Sequence, residues 1–244
     1  MRSSLACALA FAALPAATVL AAPPSAAVAD SSQVIEAETR PGTAAEEDAS
    51  IDRGFALPTA MTQPARTFTV NDYEIFAVGM TYAFTDSIQL SLTVVPVPFL
   101  GTALIANAKW QVLNAGRWHL ALEGGYSTGA VVIGSAASLC LSADCHSLLN
   151  TNVLVAPGAS DKAAVLYDAS WIQRIAPSVK TVVEITSGGW LGSKDAFSAA
   201  RSAIVWGGLR PFSRHVTGDV GLAMGIGDDF GSNVIPFGSL SVRF

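Results

Sequence analysis

His119 and Glu123 are the residues whose types best suit general acid and base chemistry, and Ser127 follows them as a candidate nucleophile. All three lie in one predicted strand, 118–127. Side chains four residues apart on a strand share a face but are separated by about 13 Å, so His119 and Glu123 cannot pair directly. The sequence therefore predicts no enzyme, and a hydrolase with His119 in its centre is kept as an alternative.

Cys140 and Cys145 enclose four residues and are the cysteines that remain when Cys7, in the first segment, is set aside. In an exported protein such a pair predicts a disulfide, which adds about 2 kcal/mol by restricting the unfolded loop. Asp144 and His146 could complete a zinc site with them. Four ligands so close in sequence fit a tetrahedron poorly, so we expect no metal and no cofactor.

Alternation of large apolar residues with small or polar ones organises the chain, beginning in the stretch 72–95. A period of two separates the two sets onto opposite faces of a strand, whereas a helix would mix them. Ten segments show it: 66–70, 72–84, 87–95, 102–112, 118–127, 165–171, 179–186, 201–208, 216–226 and 234–244. Between them, 134–162 loses the alternation and is predicted to form one long excursion.

Composition favours a lipid environment for the apolar faces. Hydrophobic residues make up 51% of the chain and charged residues 14%, whereas roughly a quarter of a soluble domain is charged. Large aromatic residues also lie near predicted strand ends on the apolar face, where a bilayer places its aromatic girdles: Trp110, Trp118, Tyr126, Tyr167, Trp171 and Phe244. An open sheet edge in hydrocarbon leaves amides unsatisfied, so such a sheet must close.

These patterns predict an all-β fold, a closed antiparallel transmembrane β-barrel of about ten strands, with eight or twelve also compatible. A secreted β-sandwich that binds a partner is the alternative fold. The net charge of −5 opposes nucleic-acid binding.

The first 58 residues differ from the rest. Arg2, an apolar run over 5–20 and the small residues at 27–29 predict a secretory signal peptide over 1–29, cleaved after Ala22 or Ala29. Residues 30–58 are acidic and poor in large side chains, which predicts a disordered linker. The barrel is expected over 59–244, with both termini in the periplasm after Sec-type export.

The connections between segments indicate which end of the barrel faces outward. Turns at 85–86, 114–116, 176–178 and 211–214 alternate by parity with mostly longer connections. Outer-membrane barrels have short periplasmic turns and longer outside loops. The excursion with Cys140 and Cys145 belongs to the longer set, so we expect the disulfide in an outside loop.

Polar residues on the inward faces predict a lumen network with charges of both signs. Lys109 is expected near Glu123, and Glu184 near Lys180 and Arg201. A barrel of about ten strands is only slightly wider than one whose side chains fill it, which favours a plug of ion pairs over a conducting pore. The predicted network comprises Lys109, His119, Glu123, Asp168, Lys180, Glu184, Arg201 and Asp219.

The last strand resembles the C-terminal signature of outer-membrane β-barrels, with Leu240, Val242 and terminal Phe244 at alternate positions. The resemblance covers 66–244 and implies outer-membrane insertion, contact with lipid and recognition by the barrel-assembly machinery. It names no activity. We expect a monomer with a structural or narrow passive-diffusion role.

Overall fold

Twelve antiparallel strands make up the described part of the chain. The computed structural model describes residues 47–73, 77–97, 101–127, 130–160, 162–192, 198–227 and 234–244. The strands are β1 (Phe68–Tyr73), β2 (Ala77–Thr85), β3 (Ile88–Val97), β4 (Gly101–Ala115), β5 (Trp118–Ser127), β6 (Ala130–Cys140), β7 (Ser147–Ser160), β8 (Lys162–Ala176), β9 (Val179–Gly192), β10 (Ser198–Pro211), β11 (Val216–Gly227) and β12 (Val234–Arg243). The predicted signal peptide and the linker up to residue 46 lie outside the described residues.

The strands form a closed barrel in which each pairs with its neighbours in sequence. Closure occurs between the first and last strands, with Val70 of β1 opposite Val242 of β12. Every strand therefore has a hydrogen-bonded neighbour on both sides, as a sheet in hydrocarbon requires. The closed antiparallel barrel predicted from the sequence is confirmed, and the sandwich alternative is wrong.

The outer wall is apolar and the inner wall polar, as the alternation predicts. Trp110, Trp118 and Phe244 expose 55%, 57% and 70% of their surface, while Lys109 and Glu184 on the inward face expose 2% and 0%. An exterior of this kind matches a lipid-facing wall. No helix of the described residues is long and apolar enough to cross a bilayer.

The barrel has twelve strands, the upper number compatible with the sequence, and the excursion predicted over 134–162 is wrong because that segment contains two strands, β6 and β7. The inward positions of β6 include Gly134, Ala136 and Ser138, so its two faces differ little in polarity and the alternation is weak. Since two strands were missed together, the parity of the later connections did not change.

The predicted difference in loop length between the two barrel ends is also absent. We call the end with the β2–β3, β4–β5, β6–β7, β8–β9 and β10–β11 connections the turn end, and the other end the loop end. A single residue separates β7 from β8 at the loop end. The β6–β7 connection, with the Cys140–Cys145 disulfide, lies at the turn end together with Phe244. The expectation of a disulfide on the opposite side from the termini is therefore wrong.

The inward face of β10 differs from the prediction, which assigned Arg201 and alternate residues after it to the lumen. Trp206 packs on Phe237 inside the barrel, and Arg210 is fully buried, whereas Leu209 is 46% exposed. The register against β9 shifts between Ala199 and Ala203, which disturbs the alternation that the prediction extrapolated. The side chain of Arg201 lies outside the described residues.

Candidate functional site

The barrel lumen contains a segment of the chain that precedes β1. We call residues 47–65 the lumen hairpin. The chain enters near the turn end, where the Ala49 amide donates to the Ser213 carbonyl, and reverses through a tight turn in which the Gly54 amide donates to Leu57 at 2.8 Å. An isolated bridge joins Arg53 and Pro58. Asp48, Ala60 and Gln63 are all at most 1% exposed. The expected disorder of 30–58 is therefore wrong over 47–58.

Gly54 permits the close approach of the hairpin tip to the wall. A Cβ at this position would lie 2.2 Å from Glu184 Oε2 and 3.3 Å from the Leu57 carbonyl oxygen. Any larger residue would therefore require the fully buried Glu184 carboxylate to shift.

Glu184 on β9 binds the hairpin tip through backbone amides. Its carboxylate accepts hydrogen bonds from Phe55 at 2.6 Å, Ala56 at 3.1 Å and Leu57 at 3.3 Å. Three successive amides pointing at one carboxylate form an anion-binding nest, here occupied by a wall side chain. The predicted lumen position of Glu184 is confirmed, but its contacts are with the hairpin.

Arg210 on β10 binds the same turn, but it donates hydrogen bonds to backbone carbonyls whereas Glu184 accepts them from backbone amides. Its guanidinium donates to the carbonyls of Ser50 at 3.3 Å, Arg53 at 2.9 Å and Gly54 at 2.7 Å, and to Asp219 at 2.6 Å. Asp219 also pairs with Arg53 at 2.8 Å. The two guanidiniums and one carboxylate therefore join β10, β11 and the hairpin.

Lys109 lies opposite Glu123, as predicted, but its ammonium donates hydrogen bonds to hairpin carbonyls. Its Nζ lies 3.0 Å from the Asp52 and Thr59 oxygens and 2.6 Å from that of Met61. Lys109 and Glu123 are register partners on β4 and β5, yet the structure shows no ion pair between them. Because the ammonium has three donors, the three carbonyls satisfy it completely.

The hairpin base is anchored at the turn end by Asp48. Its carboxylate pairs with Lys180 at 2.6 Å and accepts hydrogen bonds from Ser50 and Thr217. Burial alone would raise the pKa of Asp48, but the charges of Lys180 and Arg210 outweigh it and hold the pKa below its usual value. Lys180 thus occupies the lumen as predicted, with a hairpin partner in place of Glu184.

Apolar contacts seal the hairpin against the wall at two places. The Phe55 ring meets Phe237 of β12 edge-on, with centroids 4.7 Å apart. On the other side Ala60 packs with Ala121 and Ala136, all 0% exposed. Side chains this small let the backbones of hairpin, β5 and β6 approach closely, so no gap remains there.

Two cavities lie on either side of this seal. A cavity of about 780 Å³ opens toward the loop end and is lined by hairpin residues including Phe55 and Leu57 and by wall residues including Tyr126. A second cavity of about 1120 Å³ lies at the turn end, beside Gln63 and His119. The lumen hairpin separates them.

His119 is inward-facing and buried, as predicted, and its hydrogen-bond partners are an amide and a sulfur. Its Nδ1 lies 3.2 Å from Gln111 Nε2, and its Nε2 lies 3.5 Å from Cys140 Sγ. Among the described residues no carboxylate or hydroxyl forms a hydrogen bond with this ring. Cys140, Cys145 and His119 are close enough to hold a metal, but both thiols are joined in the predicted disulfide and provide no thiolate.

Sequence reasoning missed Arg210 and the whole hairpin. Arg210 was missed because the predicted segment ended at residue 208, three residues before β10 ends at Pro211. The hairpin was missed because composition measures apolar content, whereas this segment is held mostly by polar contacts. The available signal was the set of buried inward charges of both signs, Lys109 on β4 with Lys180 and Glu184 on β9, because buried charges need partners.

No family model and no curated protein matches the sequence. Similar solved structures include the NanC porin, with 8% identity and a TM-score of 0.48, covering 72% of this chain and 97% of that one. A loop-deleted OmpT, an outer membrane protein of Vibrio cholerae, is 11% identical with a TM-score of 0.41, covering 69% and 62%. LpxR from Salmonella typhimurium is 10% identical with a TM-score of 0.42, covering 73% and 99%. These values assign this chain neither substrate nor activity.

The fold that the resemblance of the last strand implied, a closed β-barrel, is confirmed. The chain is a closed antiparallel barrel with an apolar exterior. Leu240 and Phe244, with 49% and 70% exposure, lie on that exterior, and Val242 is partly buried on the same face.

Proposed function

We propose that this protein is a plugged outer-membrane barrel whose role is structural at rest and whose narrow diffusion path opens only when the lumen hairpin moves. The observation that carries the proposal is the buried hairpin between the two cavities. Both cavities are large enough for water and small solutes, so the hairpin is the obstacle between them.

The hydrogen bonds of buried charged side chains support the hairpin as a plug of the closed lumen. Arg210 and Lys109 donate hydrogen bonds to hairpin carbonyls, and Glu184 accepts one from a hairpin amide. Without the hairpin these buried groups lose their partners, which costs several kcal/mol for each unpaired charge. The hairpin therefore contributes to barrel stability as well as to closure.

We propose a non-enzymatic protein. The hydrolase alternative needs a carboxylate to orient His119 and a hydroxyl to attack, and the contacts of this ring are Gln111 and the disulfide sulfur. If catalysis nonetheless occurred, the variant His119→Ala would lose ester hydrolysis that the wild-type protein shows in detergent micelles.

Location and assembly complete the proposal. We propose residence in the outer membrane as a monomer, with no nucleic-acid partner, after assembly through the outward-facing C-terminal positions Leu240, Val242 and Phe244. The turn end, where Phe244 and Phe68 pair, is proposed to face the periplasm. Removal of Phe244 is expected to lower the amount of heat-modifiable protein in outer-membrane fractions.

Single-channel recording in planar bilayers tests the closed lumen. We expect the wild-type protein to show at most brief openings. A chain lacking residues 47–63, and the double variant Lys109→Met with Glu184→Gln, which weakens the hairpin grip while keeping side-chain size, are expected to conduct steadily. Folding of each is verified by heat-modifiable migration in detergent gels.

A substitution at the exposed turn residue Arg117, Arg117→Gln, is the matched control and should leave the protein closed. Steady conductance of the wild-type protein equal to that of the shortened chain would contradict the proposal. A folded shortened chain that stays closed would contradict it equally, because the hairpin would then not be the obstacle.

A further inference from the structure

Four buried oxygen atoms on neighbouring strands of the lumen wall lack hydrogen-bond partners. They are Asn152 Oδ1 on β7, and both Asp168 carboxylate oxygens and Ser170 Oγ on β8. Asn152 is 0% exposed, and Asp168 and Ser170 are each 4% exposed. Buried polar atoms are almost always paired, so a group of unpaired ones requires an explanation.

These atoms lie on one patch of the inward face. Asn152 and Asp168 are directly opposite each other in the β7–β8 register, which places their Cβ atoms about 5 Å apart. Ser170 is two residues from Asp168 on the same strand and therefore on the same face.

The orientation of Asn152 is set by its amide nitrogen. Nδ2 lies 3.3 Å from the Pro58 carbonyl of the lumen hairpin and 3.3 Å from Glu123 Oε1. Both amide hydrogens are thereby used, and Oδ1 remains as an acceptor. It stands next to the carboxylate of Asp168, which when ionised is also an acceptor only.

Positive side chains do not neutralise this patch. Lys109 is committed to three hairpin carbonyls and Arg210 to the hairpin and Asp219. Within the described ranges no lysine or arginine forms an ion pair with Asp168. Glu123 adds a second negative charge beside Asn152. An isolated buried carboxylate is costly, so it needs a bound cation or a proton.

The donor set favours a cation with hard character. A carboxylate, an amide oxygen and a hydroxyl are the ligand types that Ca²⁺ and similar ions take, with water in the remaining positions. The site relies on one carboxylate, because no three acidic, histidine or cysteine groups of this layer come within 4.8 Å of one another in the described part of the chain.

We infer that Asp168, Asn152 and Ser170 form a binding site for a hard, oxygen-coordinated cation between the β7–β8 wall and the lumen hairpin. The ion neutralises Asp168 and satisfies Asn152 Oδ1. Since Asn152 Nδ2 also holds the Pro58 carbonyl, occupancy stabilises the contact between the wall and the hairpin.

Thermal unfolding of the full mature chain in detergent tests this site with Ca²⁺ as the probe. After removal of metal with a chelator, added Ca²⁺ is expected to raise the unfolding temperature and to saturate, and K⁺ at equal ionic strength is not. Asp168→Asn is expected to weaken Ca²⁺ binding by about tenfold or more, since it removes the carboxylate of the site.

Asp144→Asn is the matched control, because Asp144 is an exposed acid in the β6–β7 turn; this variant should keep the wild-type response. Two results would overturn the inference: no saturable rise with Ca²⁺, or an equal rise in Asp168→Asn. The first means that a proton or water occupies the patch, and the second means that the ion binds elsewhere. Isothermal titration in the same detergent measures binding directly if Asp168→Asn unfolds at a different temperature.

Discussion

The two halves of the lumen are filled in different ways. The turn-end half contains the hairpin base and the Asp48, Lys180 and Arg243 contacts, in which nearly every polar group has a partner. The loop-end half, beyond the hairpin tip, contains a cavity of about 780 Å³ with apolar and polar walls. We call the part of the lumen that the hairpin base occupies the packed half, beside which the turn-end cavity of about 1120 Å³ lies, and the part beyond the hairpin tip the open half.

The difference indicates that obstruction of the lumen is local to the hairpin and is separate from closure of the strand ring. Strand pairing continues around the whole barrel, so the wall alone does not decide whether the lumen is filled. In the proposed function, obstruction of the lumen depends on hairpin residues and the wall groups that bind them. Substitutions in the packed half should therefore lower the free energy of unfolding strongly, and equivalent substitutions in the open half or at the rim should lower it little.

The largest effect is expected from Arg210→Met. This change removes hydrogen bonds to the carbonyls of Arg53 and Gly54 and leaves Asp219 with one cationic partner instead of two. Breaking a buried ion pair typically costs about 3–5 kcal/mol, so the free energy of unfolding should fall by that order. Urea unfolding in lipid vesicles measures it.

Arg174→Met is the counterpart at the rim of the same half. Its pair with Glu47 is partly exposed, and such pairs contribute about 0–1 kcal/mol. If Arg174→Met and Arg210→Met lowered the free energy of unfolding equally, depth in the lumen would not determine the loss of stability, and the comparison would fail.

A second, smaller effect is expected when an alanine is replaced by leucine in the seal and, for comparison, in the loop-end cavity. Ala121→Leu forces a larger side chain between β5 and Ala60 of the hairpin, and overpacking of this kind costs about 1–3 kcal/mol. Ala164→Leu points the same side chain into the loop-end cavity and should cost less than about 0.5 kcal/mol. Thermal unfolding of the two variants makes the comparison, and equal losses would mean that the cavity is not available space.

The sequence predicted the barrel because strand alternation depends on local chemistry. It could not predict the hairpin, since residues such as Asp48 and Gln63 are stabilised by wall groups more than a hundred residues away. Lys109 and Glu184 were correctly placed in the lumen, and Lys109 does lie opposite Glu123, but the hairpin groups that bind both side chains were not predicted. Cross-strand neighbours can be derived from pairing alone, whereas a separate segment inserted between them leaves no periodic signal.

The last comparison concerns how the stability of the packed half depends on pH, and it is tested with Asp48→Asn. The pKa of Asp48 is lowered in the folded state, so its contribution to stability is complete above the unfolded pKa of about 3.9 and is lost as pH falls through the folded value. The wild-type protein should therefore exceed Asp48→Asn in unfolding free energy at pH 7, and the difference should shrink below pH ~4. Asp144→Asn, at the exposed turn, should change stability little at either pH. A difference between wild type and Asp48→Asn that stays constant down to pH ~2 would show that the Lys180 pair does not carry the contribution.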